Sequence, residues 1–118
     1  MGAVEETLRV GGYMFHSCDA TLVARGSTVA DAYQIGSEAF RGKEILRFVT
    51  VGLGSGAILP PAKEGLTLTV INTGINPLQL YGNGSDTING TAGSTGVAIA
   101  VNGIFRLVCP VDATWYGS

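Results

Sequence analysis

A chain of 118 residues is the size of one domain, and such a domain buries roughly two-thirds of the surface its unfolded chain exposes, enough for a core without staples. Apolar residues make up 46%, charged residues only 14%, and the formal net charge is -2, which excludes a disordered chain and leaves no basic surface for nucleic acid or an anionic membrane. Charge this thin falls below the roughly one quarter usual in soluble domains, so part of the surface is expected to be covered by other protein subunits.

Residues 1–10 include Val4, Glu5, Glu6, Leu8 and Arg9 without a helical period, and Gly11-Gly12 stops whatever forms there. No basic start followed by an apolar run marks an export signal, so the protein is expected to be made and kept in the cytosol or to leave it by lysis. Tyr13, Met14 and Phe15 then form an apolar knot that needs a surface to bury against, its own core or a neighbour's. The chain divides on this reading into an N-terminal arm, 1–20, and a single β domain, 21–118. Residues 20–24 and 27–35 look like strands separated by Arg25-Gly26, and 37–41 allow one helical turn closed by Gly42.

From Glu44 the pattern sharpens. Residues 44–51 are rich in β-branched and aromatic types with apolar side chains on both parities, the mark of a strand covered on both faces. Gly52, Gly54 and Gly56 break that run, and Pro60-Pro61 ends the short 57–59 strand by withholding ladder donors. Leu66, Leu68 and Val70 alternate with Thr67 and Thr69, so 66–72 is a strand with one apolar face. The turn at 73–77 predicts that 78–81 returns as its antiparallel partner. Turn chemistry dominates 82–96, with Asn83-Gly84 and Asn89-Gly90 around a short 86–88 piece. Residues 97–101 and 104–109, joined by Asn102-Gly103, have the form of a tight hairpin, and 114–116 is a last short strand. The prediction is an all-β fold, a small antiparallel β-sandwich or jelly-roll-like barrel with an N-terminal arm.

Chemistry-bearing residues are sparse. His16 is the one histidine, so neither a zinc site nor a relay is within reach, and a small hydrolase built on His16 and Cys18 lacks a third group to orient the ring. Cys18 and Cys109 have no metal-ligand spacing and read best as two buried thiols, a disulfide lacking the support of an export signal. The glycines at 52, 54 and 56 lack the Gly-Lys-Ser/Thr ending of a phosphate loop and lead into a strand instead of a helix. No two carboxylates fall at a spacing that forces an acid/base pair. Asp86 and Asp112 belong to turns, Asp86 as a cap into Thr87. Catalytic, metal and cofactor-binding residues are therefore assigned to none. Tyr81, Trp115 and Tyr116 could form an aromatic platform for a sugar, against the plainer reading that Trp115 plugs the end of the core.

Five pieces in order, residues 57–62 with Pro60-Pro61, the 65–72 strand ending in Asn72, the 78–81 strand, 86–90 with Asn89-Gly90, and 113–116 with Trp115-Tyr116, resemble small virion proteins of tailed bacteriophages. The resemblance covers about 45–118 and leaves 1–44 uncovered. It is closest to the capsid decoration, or cement, proteins, and what it implies is a β-rich subunit of the virion, no enzyme, that assembles as a trimer, binds the major capsid protein in the assembled lattice and stabilises it. On that reading Val4, Leu8, Tyr13, Met14 and Phe15 are the expected capsid-contact arm. The alternative is a tail-fibre or baseplate β domain binding host glycan through Tyr81, Trp115 and Tyr116.

Overall fold

A computed structural model describes residues 7–10, 13–35 and 43–118, with side chains described at 18–35 and 44–118. Its strands, where a β-branched or aliphatic residue falls at nearly every second position, are β1 (Thr7–Val10), β2 (Tyr13–Val23), β3 (Tyr33–Gln34), β4 (Lys43–Thr50), β5 (Gly56–Ile58), β6 (Thr67–Asn72), β7 (Leu78–Tyr81), β8 (Thr87–Ile88), β9 (Thr91–Ala92), β10 (Val97–Ile99), β11 (Ile104–Val111) and β12 (Thr114–Gly117). A single 3-10 turn at Val29–Asp31 is the one helical element among the described residues. The fold is all-β.

The strands form two sheets. The larger has the order β1-β2-β4-β6-β11-β12-β8-β9 and the smaller the order β10-β7-β5-β3. From β2 to β7 the chain alternates between them, so β2, β4 and β6 lie parallel in one sheet and β3, β5 and β7 parallel in the other. This is a coil with a nearly constant repeat: Tyr33 pairs with Ala57 and Ala57 with Leu80 in the smaller sheet, while Ile45 pairs with Thr69 in the larger. Strands β10 and β11 then run the other way, antiparallel to β7 and β6, and close the coil at that end.

Several expectations are corrected. The sheets are mixed and solenoid-like, with parallel pairs at their centre, where an antiparallel sandwich or jelly-roll-like barrel is predicted. Strand β7 does not return along β6; the turn at 73–77 carries the chain across to the opposite sheet. Asn102-Gly103 does make a tight turn, with Asn102 at φ 62 and the Gly103 amide donating to the Ala100 carbonyl at 2.8 Å. Yet β10 and β11 belong to different sheets, so it is an arch and no hairpin. The physical reason is common to all three: alternation dictates which face of a strand is buried but not which neighbour takes its backbone hydrogen bonds. The 27–35 segment is a 3-10 turn and a two-residue strand, and the helical turn expected at 37–41 lies outside the described residues. Strand β2 runs from Tyr13 to Val23 without a break at residue 20, and its ladder to β4 begins at Ser17.

Between the sheets lies one core. Leu46, Phe48, Leu68, Val70, Leu107, Cys109, Ile88 and Trp115 from the larger sheet meet Ala57, Leu78, Leu80 and Ile99 from the smaller, together with Ile35 and Leu59. Phe48 packs edge-on against Tyr33, ring centroids 5.7 Å apart. The outer side of the smaller sheet is partly roofed as well, because Val29 and Ala32 fold over Ile58 and Tyr81. Polar side chains fasten one coil to the next. Asn76 donates to the Val51 carbonyl at 2.9 Å, Asn83 to the Leu59 carbonyl at 3.3 Å, and Asp86 accepts the Ala62 amide at 2.8 Å. Each bond satisfies a backbone group that a corner leaves without a ladder partner.

Candidate interaction surface

The outer face of the larger sheet follows from the alternation that builds the core. Since Leu46, Phe48, Leu68, Val70 and Leu107 point inward, Ile45, Arg47 and Val49 of β4, Thr67, Thr69 and Ile71 of β6, and Ile104, Arg106 and Val108 of β11 point outward. Register aligns them in rows across the strands: Ile45, Thr69 and Arg106; Arg47, Ile71 and Ile104; Thr67, Val108 and Tyr116. Ile104 is 46% exposed, Val108 49%, Val111 53% and Tyr116 49%, so this face shows water a contiguous apolar and threonine surface of the kind that marks a protein contact.

Charge on this face is of one sign. The outward positions of β4, β6, β11 and β12 hold two arginines and no carboxylate. Arg47 is tied down by its Nε, which donates to the Ala20 carbonyl at 2.9 Å, whereas Arg106 is exposed. Exposed carboxylates stand at the rim, where Asp112 follows β11 and Glu64 precedes β6, and Asp112 Oδ1 accepts the Glu64 amide at 2.8 Å. A second apolar feature runs along the corner between the sheets: Leu53 and Ile75, on successive coils, are 87% and 88% exposed, and Val101 stands on the next turn. A shallow groove of about 330 Å³ beside Ile75 is lined by Val49, Thr50, Val51, Gly52 and Asn76.

Of the residues singled out from sequence, Tyr81 and Trp115 are buried and only Tyr116 presents a ring to solvent. A sugar-stacking platform needs exposed rings, so the three do not make one; Trp115 belongs to the core. For the arm, Val4 lies outside the described residues. Leu8 is in β1, and Tyr13, Met14 and Phe15 are in the part of β2 that pairs with β1, while the side chains of all four, like that of His16, lie outside those described. Cys109 is buried and Cys18 exposed, with no disulfide between them, which corrects the expectation of two buried thiols. Among the described residues no cluster of His, Cys, Asp and Glu could hold a metal ion, and no helix is long and apolar enough to cross a membrane. Sequence reading passed over Ile104, Arg106, Val108 and Val111, although a run with apolar residues on both parities, 104–109, carried the signal of a strand with two apolar faces.

No protein family matches this chain, and no curated protein or solved structure matches it.

Proposed function

We propose that this chain is a structural virion subunit, a capsid decoration or cement protein that binds the assembled major capsid lattice and stabilises it. The observation that carries the reading is the outer face of the larger sheet, a broad and thinly charged apolar surface on a two-sheet β body, built for contact with protein. A subunit that binds the assembled lattice and not its free components stabilises the shell by mass action, and a shell that repeats the site multiplies weak contacts through avidity.

The lattice contact is assigned to the N-terminal arm, with Val4, Leu8, Tyr13, Met14 and Phe15 as its apolar residues. Two features support this. Those residues precede the β2–β4 ladder, which begins at Ser17, and in the β1–β2 ladder Leu8 pairs with Phe15, Met14 with Arg9 and Tyr13 with Val10. Removing 1–15 therefore takes away no residue of that ladder. The test is co-sedimentation with expanded phage shells: the full chain should pellet with them, and the chain lacking 1–15 should keep its β circular dichroism and stay in the supernatant. Full occupancy by the truncated chain would refute the arm, and a full chain that never pellets with any shell would refute the function.

A further inference from the structure

Arg106 stands between Thr69 of β6 and Ser118, with Ile104 and Val108 on either side of it along β11, and the outward positions of β4, β6, β11 and β12 carry no side-chain carboxylate. Anything that covers this surface must bring an acid, because a guanidinium buried without a partner costs more than the apolar contact around it returns. The chain itself holds suitable acids at the rim of the same face, Asp112 and Glu64, both exposed and, among the described residues, without a cationic partner. Arg106 and Asp112 lie on one strand and the turn that follows it, with Val108, Val111 and Tyr116 between them.

We propose that the outer face of the larger sheet docks a second copy of this chain about a two-fold axis that crosses β11 near Val108. A two-fold contact brings each residue i onto j and each j onto i. An axis midway between Arg106 and Asp112 therefore lays each arginine on Asp112 of the second copy, twice over. Val108, Val111 and Tyr116 fall at the centre, where an aromatic anchor contributes most, and the charge pairs fall outside them, where they set the register. Four strands, β4, β6, β11 and β12, at about 4.8 Å spacing and about six residues at roughly 3.3 Å rise give a face of roughly 19 by 20 Å. Such a footprint is that of a small, weak contact, below the ~800 Å² that each partner contributes to a standard interface. This pairing goes beyond the capsid reading: it gives the face on which that reading rests to a second copy and leaves the N-terminal arm for the lattice.

Light scattering of the full chain behind a sizing column tests it. The expected mass is that of a dimer; a monomer at about 100 μM, or a trimer, overturns the proposal. Arg106→Asp and Asp112→Arg should each weaken the dimer at least tenfold with circular dichroism unchanged, and the double exchange should restore it. Failure of the double variant to recover overturns the charge pairing. Leu53→Ser with Ile75→Ser removes the exposed corner residues and should leave the dimer intact; a monomer there would place the contact at the corner instead. Shell co-sedimentation is read separately, so a dimer that ignores shells sinks only the capsid reading, and a shell-binding monomer sinks only this one.

Discussion

The Asp31 carboxylate accepts the Thr28 hydroxyl at 2.5 Å and the Thr28 amide at 3.2 Å. These bonds favour the charged form, the hydroxyl first, and hold the Asp31 pKa below its ordinary value of 3.8. The sign follows directly: a depressed folded pKa contributes stability above the unfolded value, and that stability is lost as pH falls through the folded one. Thr28→Val should therefore move the Asp31 titration upward, toward the ordinary value, in a carboxyl-detected NMR titration; an unmoved midpoint contradicts the assignment. None of this is legible in the sequence, whose pattern favours a strand through 27–35 and not the turn that unites Thr28 with Asp31. Trp115 is the opposite case. Its place in the core was one of two sequence readings, and burial decides it, although the indole N–H has no hydrogen-bond partner among the described residues. Packing on all sides holds the ring there despite that unmet donor.

At the scale of elements, the corners hold the coil together, and Asn72 is their central fastener. It ends β6 fully buried, beside Phe48 of β4. Its Nδ2 donates to the Asn76 carbonyl at 2.8 Å and the Ile99 carbonyl at 3.0 Å, and its Oδ1 accepts the Gly74 amide at 2.9 Å. One side chain thus joins the end of β6, the 73–77 corner and the reversing strand β10. Asn72→Ala should destabilise the fold by on the order of 3 kcal/mol, because it strands three buried or half-buried backbone groups and leaves a small void; urea denaturation measures it, and a loss under about 1 kcal/mol would show that water or a shifted backbone replaces the bonds. Gly74 has no freedom to compensate, since a Cβ there would lie 2.8 Å from the Val51 amide nitrogen. The sequence marks Asn72 as the end of a strand. What it does there depends on β10, which is remote along the chain and contiguous only in space.

For the whole molecule, the nearly constant repeat that sets Tyr33 beside Ala57, Ala57 beside Leu80 and Ile45 beside Thr69 makes the body a short solenoid in which each coil packs on the next. Its reversing strands β10 and β11 cover the edges of β7 and β6, edges that would otherwise pair with other chains. If coils are interchangeable units, duplicating residues 43–66 in place should add one coil, with Leu46 and Phe48 stacking on their own copies. The lengthened chain should stay soluble, keep its β circular dichroism per residue and melt cooperatively; an unfolded or aggregated product would show that the coils are not equivalent.

Strand content, glycine and asparagine turns and the inward face of β6 were set by the sequence alone, because side-chain period and turn chemistry are local properties read over a few residues; β4, expected to be covered on both faces, buries Leu46 and Phe48 and leaves Arg47 on an open outer face. Parallel stacking into a coil, the exposure of Cys18, the burial of Tyr81 and the pairing of Arg106 with an apolar surround were decided by tertiary structure. Each depends on which distant strand supplies a backbone ladder or a roof, and a period of two along one strand carries no information about the strand beside it.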